Sequence, residues 1–281
     1  MKSTFADNNI FHVFSVEINA ICKAKPKSLY LEKYVDNPVN RWRADFIRAL
    51  GIEVHTSYIE CNSILETKEW LFDSWTFVQY LPDKNIMQIP KIVKMNLNIS
   101  DNPTDIVFIK RDKSRILYDL NNNLLDEVLA EIPHMKVVNF DKCSFYEQVS
   151  IISKARVMIS CHGAANTNLI FLPTRAKIIE ISFRTHWYCD PICKGHNDGS
   201  IDYKTKCNSH GLTYRPYYHK ADYHNLAKLC DIEYVEIPLD HAEGYIDDNP
   251  INVNKVYVDP QLIIRALYNI GCSTSFRKWT S

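Results

Sequence analysis

The chain has 281 residues, of which 46% are hydrophobic, 12% aromatic and 23% charged, a composition typical of a globular protein with a substantial core. Its 33 basic and 33 acidic side chains give a formal net charge of zero, which excludes a general nucleic-acid binder because no excess of lysine and arginine can neutralise phosphates. The first residues lack the basic and apolar regions of a signal peptide and no run of about 18 apolar residues occurs, so we expect a cytoplasmic protein without a membrane span.

The first part of the chain alternates between strand and helix patterns. Segments 28–35 and 52–59 are predicted as strands. Between them, 37–51 is predicted as a helix, because Pro38 stands near its start and Gly51 just past its end. These elements predict a small α/β unit at the beginning of the chain.

A polar stretch that contains a proline, 96–105, is predicted as a linker to a second unit. Beyond it, short apolar runs alternate with helical patterns, which is the β-α-β signature of a parallel sheet covered by helices. Ser144, with Glu147 three residues later, predicts a capping box at the start of one helix. The predicted strands are 105–111, 135–140, 157–161, 177–182 and 233–238, and the predicted helices are 122–132, 144–155, 166–173, 224–230 and 259–270.

Together the elements predict an α/β fold of two units. The first, over 1–98, is small, and the second, over 99–258, carries the repeated β-α-β pattern. A closing helix within 259–281 could return to the first unit. The nine cysteines are scattered without a C-x-x-C pair, which predicts reduced thiols, and those of 184–224 match no standard zinc spacing.

A histidine and a glycine stand between a predicted strand and a predicted helix. His162, Gly163, Ala164 and Ala165 follow the carboxyl end of the strand, where open parallel sheets bind ligands. Gly163 would let backbone approach a ligand closely. The helix N-terminus, beginning near Asn166, would favour a phosphate, to which His162 could donate. On these residues alone, an ordinary turn with a histidine satisfied in the core is the alternative.

A basic cluster follows a second predicted strand. Lys110, Arg111, Lys113 and Arg115 come just past its end, and the guanidinium fork matches phosphate oxygens. The alternative is a solvated basic turn. Because both segments follow strand ends in one sheet, together they predict a diphosphate pocket. No D-x-D triplet occurs, so we expect no metal and no other cofactor.

Polar residues near the start of the chain are candidates for catalysis. Asn9, His12 and Glu17 stand in an otherwise apolar segment, and Asp73 is a second acidic candidate. A carboxylate across from a sugar nucleotide could act as general base on an acceptor hydroxyl. The alternative is a surface glutamate on an amphipathic segment.

The stretch 158–181 resembles glycosyltransferase family 61, which shows His-Gly-Ala, then Asn, then Phe-hydrophobic-Pro, then a strand ending in Glu. Segment 109–119 looks like the family's basic motif, and 8–17 resembles its early Asn-x-x-His element followed by an acidic residue. Several members place that acidic residue one position earlier, where this chain has Val16, so the resemblance leaves the base open. The central motif corresponds here to His162, Gly163, Ala164, Asn168, Phe171, Pro173 and Glu180.

The resemblance implies a GT-B-like pair of Rossmann-like domains facing across a cleft, and inverting transfer from a UDP-sugar to an oligosaccharide or glycoprotein without a metal. The size is similar to that of xylose-transferring members encoded by large algal viruses, which implies UDP-xylose, a fucose-bearing acceptor and the host cytoplasm. UDP-GlcNAc as donor, or a non-catalytic nucleotide- or carbohydrate-binding module, are the alternatives. The implied donor site comprises Arg111, Arg115, Gln148, His162, Gly163, Ala164, Ala165, Asn166 and Glu180, and the implied catalytic residues are Glu17, Asp73 and His12.

Overall fold

A computed structural model describes most of the second unit and part of the first. Among the residues that the structure describes, no helix is both long and apolar enough to cross a membrane. His12, Asp73 and the cysteines of 184–224 lie outside the described residues. The described ranges are 2–3, 10, 13–18, 21, 25–31, 34–56, 88–183, 185–188, 215–217, 220–239, 243–246 and 249–272.

Three of the described α-helices, those that begin at Pro38, Phe145 and Pro260, start at side-chain caps that the sequence supplies. Asn37 accepts a hydrogen bond from the backbone N–H of Asn40 at 2.8 Å, with proline at the next position. The predicted capping box is present, since Ser144 and Glu147 bond each other's backbone N–H groups. The α-helices are α1 Pro38–Ala49, α2 Gln88–Asn96, α3 Leu124–Glu131, α4 Phe145–Ile152, α5 Lys220–Leu229 and α6 Pro260–Asn269, with a π-helix at Val13–Ile18 and 3₁₀-helices at Phe140–Lys142 and Ala164–Phe171.

Thirteen strands lie within the described ranges, and five of them form a central parallel sheet. These five pair in the order β11-β8-β7-β4-β6, every pair parallel. The strands are β1 Lys2–Ser3, β2 Ser28–Leu31, β3 Glu53–His55, β4 Asp105–Ile109, β5 Ile116–Tyr118, β6 Lys136–Val138, β7 Ala155–Cys161, β8 Lys177–Phe183, β9 Thr185–Tyr188, β10 Arg215–Tyr217, β11 Glu233–Leu239, β12 Glu243–Ile246 and β13 Asn249–Tyr257.

Smaller sheets flank the central one. In the first unit, β1, β2 and β3 pair in parallel. Near the other end of the chain, β13 pairs antiparallel with β12 and parallel with β5, and β9 pairs with β10. The chain is therefore a mixed α/β protein with parallel sheets, as the sequence predicts.

Both faces of the central sheet are buried. Along β4, Val107 and Ile109 point into one core while Ile106 and Phe108 point into the other, because successive strand residues face opposite sides. The first core is closed by α1, α4, α5 and the second 3₁₀-helix, and the other by α3 and α6. This double burial explains why these strands are continuous apolar runs in the sequence.

The first core is continuous between the two predicted units. Trp42 and Phe46 of α1 pack against Phe145 of α4 with ring centroids 5.4 and 5.3 Å apart. Among the described residues, helix α6 packs against α3 and β11. A return of the closing segment to the first unit stays a prediction. The limits of the units at 98 and 258 stay a prediction.

Several elements differ from the sequence-based expectation. Helix α2 and the short strand β5 were not expected, and the predicted helix at 166–173 is a 3₁₀-helix, Ala164–Phe171. Strand β5 is held by pairing with β13, far along the chain, and its three residues carry too short a pattern to be seen locally. Its position matters because the basic loop runs from β4 to β5.

Candidate functional site

Two loops meet at the carboxyl edge of the central sheet. The basic loop that contains Arg111 and Arg115 follows β4, and the turn that contains His162 and Gly163 follows β7. Strands β4 and β7 are direct neighbours in the sheet. Parallel neighbours end at the same edge, so the sheet brings the two predicted phosphate-binding segments together.

Gly163 is in close contact with both arginines. A Cβ atom at this position would lie 2.8 Å from Nη1 of Arg115 and closer still to Nη1 of Arg111. Arg115 also donates from Nη1 to the backbone carbonyl of His162 at 2.8 Å. A side chain at this position would therefore displace the two guanidinium groups from the backbone.

The two arginines form a concentrated positive charge. Burial, followed by the charge of Arg111, lowers the pKa of Arg115 from its ordinary value, although a guanidinium remains protonated in proteins. Arg115 also adopts a left-handed backbone conformation, with φ of 55°, which is uncommon for a residue with a side chain. Adjacent like charges in a partly buried place are stabilised by an anion, and a diphosphate supplies one.

Behind the arginines, His162 is held by a buried carboxylate. Glu180, which has no exposed surface, lies 2.7 Å from Nδ1 of His162 and accepts a hydrogen bond from the side-chain amide of Asn166 at 2.8 Å. The hydroxyl of Tyr234 donates to the other carboxylate oxygen. Ser160 donates to the amide oxygen of Asn166 at 2.5 Å.

Protonation states follow from these contacts. Burial, then the neighbouring Glu180, raises the pKa of Tyr234 far above its ordinary value, so the phenol keeps its proton and donates. Because Glu180 also accepts from Tyr234 and Asn166, we assign to His162 the tautomer in which Nδ1 donates to this carboxylate. Burial raises the pKa of the adjacent Cys161 to about 12, so this thiol is neutral at physiological pH.

An open cleft of about 590 Å³ lies beside this network. Arg111, Ala164, Ala165 and Gln148 line it, while Arg115, His162, Asn166 and Glu180 lie behind these residues. Part of the implied donor site thus faces the cleft directly and part supports it from behind.

Gln148 has a supporting position at the cleft wall. Its Nε2 donates to the carbonyls of Phe140 and Cys143 at 3.1 Å, and its Oε1 accepts from Asn168 at 3.1 Å. These three bonds tie the loop before α4 to the 3₁₀-helix after Gly163. The predicted donor contact of Gln148 therefore coexists with a role in holding the wall together.

Glu17 lies away from the cleft. Its two carboxylate oxygens accept from Nε and Nη2 of Arg43, each at 2.5 Å, and both side chains are almost completely buried. The pair ties the π-helix to α1. The other two implied catalytic residues, His12 and Asp73, lie outside the described residues.

Helix α1 supplies another part of the cleft wall. Pro38, Arg41, Trp42 and Asp45 line it, and their spacing of three, four and seven residues puts them on one helical face. The sequence analysis did not single out Arg41 and Asp45, although this spacing is visible in the helix pattern. Within the part of the chain that the structure describes, no group of three or more His, Cys, Asp or Glu side chains gathers as metal ligands do.

Comparison with known proteins bears on the same segment. A search of curated proteins gave no match. The family model described as Glycosyltransferase 61 matches residues 24–179, more than half of the chain, including the basic loop and the His-Gly turn. The chain therefore belongs to glycosyltransferase family 61.

Proposed function

We propose that this glycosyltransferase transfers xylose from UDP-xylose to a hydroxyl group of a glycan such as one bearing fucose, with inversion and without a metal ion. Family membership supports a sugar donor and an acceptor. The choice of xylose, the inversion and a GT-B-like pair of Rossmann-like units rest on the sequence resemblance. The observation that carries the donor site is the packing of Arg111 and Arg115 against Gly163.

In this proposal the two arginines neutralise the diphosphate. Two guanidinium groups at one edge of the sheet offer paired donors for phosphate oxygens, and the burial of Arg115 strengthens its field. The small side chains of Ala164 and Ala165 leave room for the diphosphate at the cleft. These groups would therefore supply the charge stabilisation that a divalent ion supplies in other sugar transferases.

The chemical step follows from this arrangement. A base removes the proton from the acceptor hydroxyl, and the oxygen attacks C1 of xylose opposite the leaving group. The bond from C1 to the diphosphate oxygen breaks, and UDP leaves with the electron pair. The arginines stabilise the negative charge that grows on UDP. The acceptor would enter from the α1 side, where Arg41, Trp42 and Asp45 line the cleft.

Among the carboxylates singled out in the sequence, we assign the base role to Asp73 rather than Glu17. Both oxygens of Glu17 are already engaged by Arg43, and its side chain is 1% exposed. A carboxylate in that position has no access to an acceptor hydroxyl. Glu17 then has a positioning role, holding the π-helix on α1.

A donor screen tests the proposed activity. The protein is incubated with UDP-xylose or UDP-GlcNAc, with and without a fucose-bearing acceptor and in the presence of a chelator, and UDP release is measured. We expect release with UDP-xylose that depends on the acceptor, and an anomeric configuration in the product, read by NMR, opposite to that of the donor. Release with UDP-GlcNAc alone would favour the alternative donor, and UDP binding without turnover would favour a binding module.

Two matched substitutions test the assignment of the base. Asp73→Asn is expected to lower kcat by roughly 100-fold or more, the usual contribution of a general base, while UDP affinity is retained. Glu17→Gln keeps the shape of the buried side chain and is expected to retain most of the activity of the folded fraction. The reverse result would give the base role to Glu17.

A further inference from the structure

We propose that Tyr234 is a positioning residue for the donor site: through Glu180 it fixes the orientation of His162 beside the two arginines. The inference deepens the proposed function and depends on it. Tyr234 lies on β11, beyond the segment that the family model matches, and the sequence offered no reason to single it out.

The register of the central sheet brings these residues together. Ser160 of β7 and Glu236 of β11 are the partners of Glu180 on either side. Tyr234 stands two residues before Glu236 and so shares its face, diagonally opposite Glu180. The phenol thus reaches Glu180 from β11, which pairs with β8 on the side opposite to β7, the strand that leads to His162.

The carboxylate of Glu180 is bonded at both oxygens. Oε1 accepts hydrogen bonds from the imidazole Nδ1 and from the side-chain amide of Asn166, and Oε2 accepts one from the hydroxyl of Tyr234. The oxygens cannot exchange places without breaking these bonds, so the phenol holds Oε1 towards the imidazole. Because Glu180 is completely buried, losing one donor leaves a carboxylate oxygen that water cannot reach.

Ring contacts fix the remaining freedom. Helix α5 covers the network, with Tyr223 packed edge-on against the His162 ring at 5.4 Å and His224 against the Tyr234 ring at 5.1 Å. The backbone of His162 is held as well, since its N–H donates to the carbonyl of Ile181 at 2.9 Å. With Nδ1 bonded to Glu180, the imidazole has one fixed orientation behind the residues that line the cleft.

The orientation of the imidazole matters because the same turn carries Arg115. The carbonyl of His162 accepts from Arg115, and Gly163 packs against it. A shift of the imidazole would therefore move the backbone on which the guanidinium groups rest. Tyr234 contributes to diphosphate binding without itself touching the donor.

The test is a double-mutant cycle on UDP binding by calorimetry. Tyr234→Phe and His162→Gln are each expected to weaken UDP binding by about tenfold, and the double variant by little more than either one, because both remove the same interaction. Uridine, which has no phosphate, should bind all variants alike. The control is Tyr268→Phe, which breaks another tyrosine–glutamate bond, from Tyr268 to Glu131 at 2.9 Å on the surface.

A spectroscopic readout separates positioning from general stability. The Nδ1 proton of His162 should give a downfield NMR signal that disappears in His162→Gln, and it should shift or broaden in Tyr234→Phe but not in Tyr268→Phe. Unchanged UDP binding and an unchanged signal in Tyr234→Phe would overturn the inference, as would additive losses in the cycle. Failure of the unmodified protein to bind UDP would instead overturn the proposed function.

Discussion

Gly163 is the position at which a single added carbon should disturb the donor site most. The new Cβ of Gly163→Ala would overlap the guanidinium groups of Arg111 and Arg115. Displacing one charge-assisted hydrogen bond costs about 1.5–3 kcal/mol, so we expect UDP affinity to fall by roughly tenfold or more. Calorimetric titration with UDP measures the effect.

Gly271→Ala is the matched control for this substitution. Gly271 has a left-handed φ of 83° but no atom within 4 Å of an added Cβ. Alanine there should cost about 1 kcal/mol of stability through backbone strain and leave UDP affinity unchanged. Equal UDP affinities for Gly163→Ala and the unmodified protein would show that the arginines do not need the glycine.

The buried pair of Glu17 and Arg43 gives a prediction about stability. Arg43→Met should destabilise the fold by about 3–5 kcal/mol, because it removes the arginine that pairs with a carboxylate in the core. The double variant Glu17→Leu/Arg43→Met should recover most of that loss, since it removes both buried charges together. Urea unfolding of the three proteins measures the free energies.

The double variant also tests the role of Glu17 in catalysis. A positioning role predicts that the refilled core keeps transfer activity in the folded protein. A folded double variant without any transfer, but with intact UDP binding, would contradict that role and would make the carboxylate itself essential.

Helix α4 carries a pH-dependent cap at the cleft. Hydrogen bonds from the backbone and hydroxyl of Ser144 lower the pKa of Glu147 from its ordinary 4.5. A lowered folded pKa means that the stabilisation is present above the unfolded pKa and is lost as the pH falls through the folded one. We therefore expect Ser144→Ala to cost about 1 kcal/mol at neutral pH and less in acid. Midpoints of urea unfolding at neutral and at acidic pH measure the difference.

Asn37→Ala supplies the control for this cap. Asn37 caps α1 through the N–H of Asn40 without a titratable partner, so its loss should be similar at both pH values. A pH-independent loss in Ser144→Ala would contradict the role of the carboxylate in the cap.

Local sequence patterns predicted the strands and loops of the donor site. They did not predict the residues that contact these elements from distant parts of the chain. The adjacency of Arg111 and His162 followed from the parallel sheet alone, since neighbouring strands end at one edge. Tyr234 could not be predicted, because it lies 54 residues from Glu180 in sequence and their contact depends on the register between two strands. The bond between Glu17 and Arg43 is also non-local, and an acidic residue in an apolar segment gives no indication of its partner.

The same distinction holds for the fold. Apolar runs and caps predicted the central parallel sheet and most helices, because double burial and helix ends leave marks within a few residues. Strand β5, by contrast, is defined by pairing with β13. The basic loop is thus anchored at one end by the central sheet and at the other by a strand from the far end of the chain.

The continuous first core leads to a prediction for the whole protein. The ring of Phe46 in the first unit packs against those of Phe145 and Phe171 in the second, with ring centroids 5.3 and 5.7 Å apart. Unfolding of either unit would therefore expose the aromatic side chains of the other to water. We expect a single cooperative unfolding transition in scanning calorimetry. UDP at 100 times its Kd should stabilise the folded protein by about 2.7 kcal/mol and shift that whole transition upward.

The upward shift of the unfolding transition by UDP should depend on the two arginines of the donor site. Arg111→Ala and Arg115→Ala should reduce the shift strongly, whereas Arg265→Ala, on an exposed position of α6, removes the same charge and should leave it intact. A chelator should not change the shift, because the arginines and not a divalent ion hold the diphosphate in the proposed site. Two separate transitions, of which UDP moves only one, would show that the units unfold independently. Loss of the shift on chelation would show that a metal ion holds the diphosphate.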